Sequence, residues 1–203
     1  MVAFDHAPQA RSNGQSMQIE DTAIPEIKII TPRRFADSRG FFAEWHNAAA
    51  LAKAGIRIAF CQDNLSLSVR KGTVRGLHFQ LPPMAQTKLV GVMAGRALDV
   101  ALDLRLGSPT YMRHIAVELT AERGNQLLVP EGFAHGFCAL SDATLIFYKI
   151  TAPYSPAHDS GIHWADPALG IRWPVEERAA ILSEKDMKLP RLDPANPPFR
   201  YRA

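Results

Sequence analysis

The chain has 203 residues, of which 47% are hydrophobic and 21% charged; this is the composition of a globular protein with a sizeable core, not of a disordered or fibrous chain. Its formal net charge is +3, and the 23 Lys and Arg are scattered, with no run longer than Arg33-Arg34 or Arg70-Lys71. That pattern argues against nucleic acid and for a small anion held in a pocket. No apolar stretch approaches the roughly 20 residues that cross a bilayer, so neither a transmembrane helix nor a membrane partner is expected.

Residues 1–17 read as a polar tail. Asp5 and His6 stand where a secretion signal needs an apolar run, which predicts a cytoplasmic chain. The expected organisation is a tail over 1–20, one domain over 21–190 and a second tail over 191–203. Cys61 and Cys138, both in apolar surroundings, read as buried reduced thiols.

Residues 27–31 predict a short strand, and Asp37-Ser38-Arg39-Gly40 a turn ahead of Phe41-Phe42. The Ala-rich run 47–54, closed by Gly55 at a C′ position, predicts a helix. From 58 to 150 the pattern becomes short period-two runs broken by Gly, Pro, Asn and Ser. Over 96–104, Leu98, Val100, Leu102 and Leu104 alternate with Ala97, Asp99, Ala101 and Asp103, predicting a strand whose leucine face meets the core. Ala94-Gly95 predicts a hairpin between this strand and 88–93. Further strands over 111–119, 126–129, 136–140 and 144–150 have the spacing of an antiparallel sandwich or barrel. Beyond Tyr154, Pro and turn residues leave room for short helices only, such as 175–180.

Several chemistries lack their motifs: there is no G-x-G-x-x-G, Walker A, G-x-S-x-G, C-x-x-C or H-E-x-x-H. Instead, RGLHFQ (75–80) sets Arg75 and His78 in an apolar strand. PEGFAHGF (130–137) supplies the P-x-G-x-x-H pattern of cupin barrels with His135. The fold class expected is all-β, a cupin-like double-stranded β-helix (jelly-roll) barrel with a few short helices. A metal-binding cupin wants H-x-H followed by a carboxylate. Here position 80 is Gln80, and the next charged residue is Lys88, which would repel a divalent cation. The expectation is therefore no metal, no cofactor, and a pocket worked by acid and base side chains.

Together, Arg39-Gly40-Phe41-Phe42, Gln62-Asp63-Asn64, RGLHFQ, PEGFAHGF, Tyr148-Lys149, Tyr154-Ser155-Pro156, GIHWADPALGIRWP (161–174) and Leu182-Ser183-Glu184-Lys185-Asp186 resemble the dTDP-4-dehydrorhamnose 3,5-epimerase family over about 26–189. The resemblance implies a dTDP-linked 4-keto-6-deoxyhexose substrate, inverted at C3 and C5 after proton removal next to the C4 ketone. It implies His78 as base, Asp186 as its carboxylate partner, Lys88 at the C4 oxygen and Tyr148 as proton donor on the other face. An imidazole, with an ordinary pKa of about 6.5, suits the first role, and a buried ammonium beside a developing oxyanion suits the third. By the same resemblance Arg39, Glu44, Gln62, Asp63, Asn64, Arg75, His135, Asp159 and Lys185 bind the nucleotide diphosphate and sugar, and Tyr154 stacks on the base. Members are homodimers that exchange N-terminal strands, so Arg39 and Glu44 are expected to serve the neighbouring subunit. Inversion at C3 or C5 alone, or keto-sugar isomerisation, is the alternative on this barrel. Strict alternation puts Arg75 on the face opposite His78, which calls for a bulge near Gly76 or an approach of Arg75 from the side.

Overall fold

The computed structural model describes residues 17–201; of the polar tail read over 1–17, residues 1–16 lie outside them and Met17 opens the first strand. Two antiparallel sheets form the body. The six-stranded one runs in the order β1 (Met17–Asp21), β2 (Lys28–Pro32), β11 (Gln126–Val129), β7 (Lys88–Ala94), β13 (Thr144–Ile150), β5 (Gln62–Ser68). The five-stranded one runs β10 (His114–Thr120), β8 (Arg96–Asp103), β12 (Phe133–Ala139), β6 (Val74–Gln80), β14 (Asp159–Gly161). This is the expected all-β, cupin-like jelly-roll barrel.

Between the sheets lie Val90, Val92, Ala97, Ala101, Leu127, Val129, Phe137 and Ile146, all buried. The outer face of the five-stranded sheet is also covered: Leu77, Val100, Leu102 and Leu104 pack under Ile162, Leu169 and Phe199. The leucine face of β8 therefore meets this outer layer. The face read as polar, Ala97, Asp99, Ala101 and Asp103, is fully buried, with Ala97 and Ala101 in the barrel interior. Alternation marks the strand and its leucine face, which does meet a hydrophobic core, but not the burial of the other face, because both faces of a covered sheet are buried.

Ala94-Gly95 is likewise not a hairpin. β7 and β8 belong to different sheets, and Gly95, at φ +74°, turns the corner between them. The hairpin around Arg39 does form, with β3 (Arg34–Asp37) paired to β4 (Gly40–Ala43). Helix α1 (Ala48–Lys53) is capped by Asn47, whose side chain accepts from the Ala50 N–H at 3.0 Å, and it buries Leu51 against the six-stranded sheet. The run at 175–180 contains one 3₁₀ turn, Glu177–Ala179, and α2 (Glu184–Met187) follows. The boundary drawn at residue 20 falls inside β1, and in the segment 191–203 β15 (Phe199–Arg200) pairs in parallel with β9 (Arg105–Leu106). Cys138 is buried as expected, whereas Cys61 is exposed.

Candidate active site

Opposed strands of the two sheets line one cleft. β6 brings Arg75 and His78, β12 brings His135, β7 brings Lys88 and β13 brings Tyr148; α2 closes the end with Lys185 and Asp186. Arg75 and His78 share this cleft because of a bulge. Between the β6–β12 pairs His78↔His135 and Arg75↔Phe137, β6 advances one residue more than its partner, which reverses the side-chain parity. Gly76 supplies the slack at φ +123°. A Cβ there would meet the Gly136 Cα at 2.6 Å and the His135 carbonyl oxygen at 2.8 Å.

His78 Nε2 lies 2.6 Å from Asp186 Oδ1, with the histidine partly exposed and the aspartate buried. Ser183 caps α2 by accepting from the Asp186 N–H at 3.1 Å, which sets where that carboxylate points. Burial works against the charge on Asp186. Hydrogen bonds from His78, the Gly76 N–H and Ser183, together with the His78 charge, outweigh it and hold the carboxyl below the ordinary carboxylate value.

Lys88 is buried at 8% exposure and among the described residues its Nζ has one long contact, 3.4 Å to the His78 carbonyl oxygen. Burial brings its pKa down to about 8; the charges of Asp99 and Asp159 oppose that fall and that of Lys185 adds to it. Burial raises the Tyr148 phenol, partly offset by the Arg75 charge, so the hydroxyl keeps its proton at neutral pH. Arg75 is held at the wall by a 2.9 Å bond from Nη2 to the Leu67 carbonyl oxygen.

At the other end of the cleft Gln62 Nε2 donates to Asn64 Oδ1 at 2.7 Å. Tyr154, on the rim at 57% exposure, donates its hydroxyl to Asp159 at 3.0 Å, and Lys185 donates to the same carboxylate. That bond raises the Tyr154 phenol. Gln80 fills the position of a second metal-ligand histidine. Its amide donates to the Met84 and Pro153 carbonyls and its oxygen accepts from the Ser155 N–H, so its polar atoms hold the neighbouring loops.

Three expected residues are elsewhere. Period-two geometry turns Gln62, Asn64 and Ser66 of β5 into the cleft, which sends Asp63 to the opposite face, where it pairs with Lys149 at 2.6 Å. Asp63 is thus removed from the set. Arg39 lies in the β3–β4 turn, 87% exposed and paired with Asp37, and Glu44 accepts from Asn47; neither lines this chain's cleft. The cleft also contains Ser66, Gln86, Phe137 and Ser183, which the motifs did not single out. Ser66 was legible as the next inward position after Gln62 and Asn64. Asp99, fully buried behind His135 at 2.9 Å from its Nε2, is a further residue that no motif singles out.

A jelly-roll barrel with a histidine–carboxylate pair, a buried lysine and a buried phenol around one cleft is the framework of a sugar-nucleotide epimerase. The family model described as dTDP-4-dehydrorhamnose 3,5-epimerase matches residues 21–194, and the chain belongs to that family. A relative of that name from Sinorhizobium fredii is 49% identical over 185 residues, covering 91% of this chain and 94% of its own. The Bacillus anthracis dTDP-4-dehydrorhamnose 3,5-epimerase, solved with TDP and pyrophosphate bound, superposes with a TM-score of 0.84 at 48% identity, covering 87% of this chain and 99% of its own. The Legionella pneumophila dTDP-6-deoxy-D-glucose-3,5-epimerase, in complex with dTDP-4-keto-L-rhamnose, gives 0.86 at 44% identity, covering 92% and 100%.

Proposed function

We propose that this chain inverts C3 and C5 of dTDP-4-dehydro-6-deoxyglucose, giving dTDP-4-dehydro-L-rhamnose for dTDP-rhamnose synthesis, with no cofactor and in the cytoplasm. The observation that carries the reading is the His78–Asp186 pair facing, across one cleft, a lysine and a phenol from the opposite sheet. The complex of the Legionella relative with dTDP-4-keto-L-rhamnose supports the substrate class.

In this reading His78 takes the proton next to the C4 ketone, and Asp186 fixes the imidazole tautomer and stabilises the imidazolium. The Lys88 ammonium, short of protein partners, holds the enolate oxygen in a site where charge is poorly screened. Tyr148 returns a proton to the other face, and the Arg75 charge eases formation of its anion. Arg75, His135, Lys185, Gln62, Asn64 and Asp159 hold the sugar and the diphosphate, and Tyr154 stacks on the base.

The working unit is a homodimer. Phe41 and Phe42 on the β3–β4 hairpin and Leu65 and Leu67 on the edge strand β5 are large apolar side chains left exposed in the single chain, at 57%, 66%, 68% and 53%. Burying them in a partner carries Arg39 and Glu44 toward that partner's cleft. The deciding experiment is incubation of the 4-keto substrate in deuterated water with proton NMR at each ring carbon. Deuterium entering at C3 and C5 with formation of the L-sugar is expected, and its absence at both carbons overturns the reading.

A further inference from the structure

Behind the cleft lies a second histidine–carboxylate pair, whose carboxylate none of the roles above uses. Asp99, on β8, is fully buried, and its Oδ1 lies 2.9 Å from His135 Nε2, on β12. Its other oxygen, Oδ2, is buried without a hydrogen-bond partner among the described residues. Buried carboxylate oxygens are normally satisfied, so one left open in the interior is costly and calls for a reason. Asp99 is not in the lining of the cleft; the residue in contact with it that is in that lining is His135.

We propose that Asp99 is a positioning residue, which acts on the sugar only through its neighbours: it fixes the His135 ring, and the negative charge of its open oxygen bears on Lys88. The proposal rests on the reading of the cleft as an epimerase site. A carboxylate can only accept, so Nε2 of His135 must carry its proton toward Asp99, and Nδ1 becomes the lone-pair nitrogen of the neutral ring. That nitrogen can accept a hydrogen bond from a sugar hydroxyl, which a freely rotating ring would present only part of the time. For Lys88, the charged groups that bear on it are Asp99 from β8, Asp159 from β14 and Lys185 from α2, and the titratable or charged residues that share its cleft are His78 and Arg75 from β6, His135, Tyr148, Tyr154 and Asp186. Asp159 already receives Lys185 and Tyr154, whereas Asp99 has an oxygen to spare, and its effect on Lys88 is the larger.

The test is Asp99→Asn, which keeps shape and removes charge, assayed for kcat, KM and solvent deuterium exchange from pH 6 to 10 on dTDP-4-dehydro-6-deoxyglucose. The expected result is a kcat lower by about 10- to 100-fold, as for outer-shell partners of other sites. KM should change less than kcat, and the fall of kcat at high pH should move about one unit toward neutrality. A merely structural role lowers stability and leaves the shape of the pH profile unchanged. A profile that superimposes on the parent after scaling, or an unaltered kcat, overturns the proposal. Nitrogen NMR of ¹⁵N-histidine-labelled parent, with His135→Gln for assignment, reads the ring directly even where Asp99→Asn does not fold: Nε2–H supports the proposal and Nδ1–H overturns it. A parent that shows no deuterium exchange at all counts against the epimerase reading, and the ring tautomer still decides the Asp99–His135 pairing.

Discussion

His78 Nε2 and Asp186 Oδ1 stand 2.6 Å apart although 108 residues separate them in the chain. The carboxylate, at 3% exposure, can serve only what touches it, so its loss should show in turnover and hardly in substrate affinity. Asp186→Asn is expected to lower kcat by about 100- to 10,000-fold with a small change in Kd for dTDP. The pH dependence has a definite sign. A carboxyl held low in the fold stabilises the protein above its unfolded-state value, near 3.9, and that contribution disappears as pH falls through the folded value. Denaturant midpoints of parent and Asn variant should therefore differ at pH 7 and converge in acid; equal midpoints at both pH values would contradict the pairing.

Tyr148→Phe removes one oxygen from the sheet facing His78. If His78 withdraws the proton and Tyr148 returns one on the other face, the variant retains deuterium wash-in by the base while inversion falls by about 100-fold or more. Comparing exchange with product formation carbon by carbon checks this. Equal losses in both would place Tyr148 upstream of proton abstraction.

Lys88 costs the fold stability. Its pKa of about 8, against 10.5 for a free lysine, corresponds to a penalty on the order of 3 kcal/mol, fully present below pH 8, where both folded and unfolded states are protonated. The penalty fades as pH rises from 8 toward 10.5, because the folded lysine releases its proton first. Lys88→Met should then melt higher than the parent at pH 7, by an amount that shrinks at pH 10, while losing exchange. A variant less stable than the parent at pH 7 would refute this assignment of cost.

Gly76→Ala adds a Cβ 2.6 Å from the Gly136 Cα and 2.8 Å from the His135 carbonyl oxygen, both backbone atoms of β12, with φ at +123°. Neither strand can yield without disturbing the bulge that sets Arg75 and His78 in one cleft. The expected cost is about 2 to 4 kcal/mol, with turnover reduced in whatever fraction folds. Near-parental stability in chemical denaturation would show that the strands can separate there.

The bulge marks how far the sequence could be read. Period-two patterning found most strands of the body, because one residue type recurs on each face whichever way the strand is turned. It could not say which face looks into the barrel. β8 buries both faces, and the leucines that mark it as a strand meet the outer layer, so nothing in the alternation marks Asp99 as the buried carboxylate behind His135. Gly95 looks like a hairpin turn because a corner between sheets and a turn within one need the same positive φ. His78 with Asp186 was legible only through resemblance, since no local pattern links two residues so distant in the chain. Asp63 needed only parity: once Gln62 and Asn64 face the cleft, it cannot.

Arg39 is 87% exposed and is not among the residues that line the cleft of its own chain, although it stands beside two exposed phenylalanines on one hairpin. If the hairpin lies over a second subunit's cleft, each active site takes His78 from one chain and Arg39 from the other. Arg39→Ala and His78→Ala homodimers should then both be impaired, the second completely. Unfolding and refolding them together makes mixed dimers in which one cleft contains both side chains. Random reassociation gives half mixed dimers, each with one complete cleft of two, so activity should return to about a quarter of the parental rate. Phe42→Asp, which charges the apolar face, should abolish this recovery and shift the parent from dimer toward monomer in sedimentation. If mixing restores no activity while mixed dimers are shown to form, Arg39 does not act across the interface.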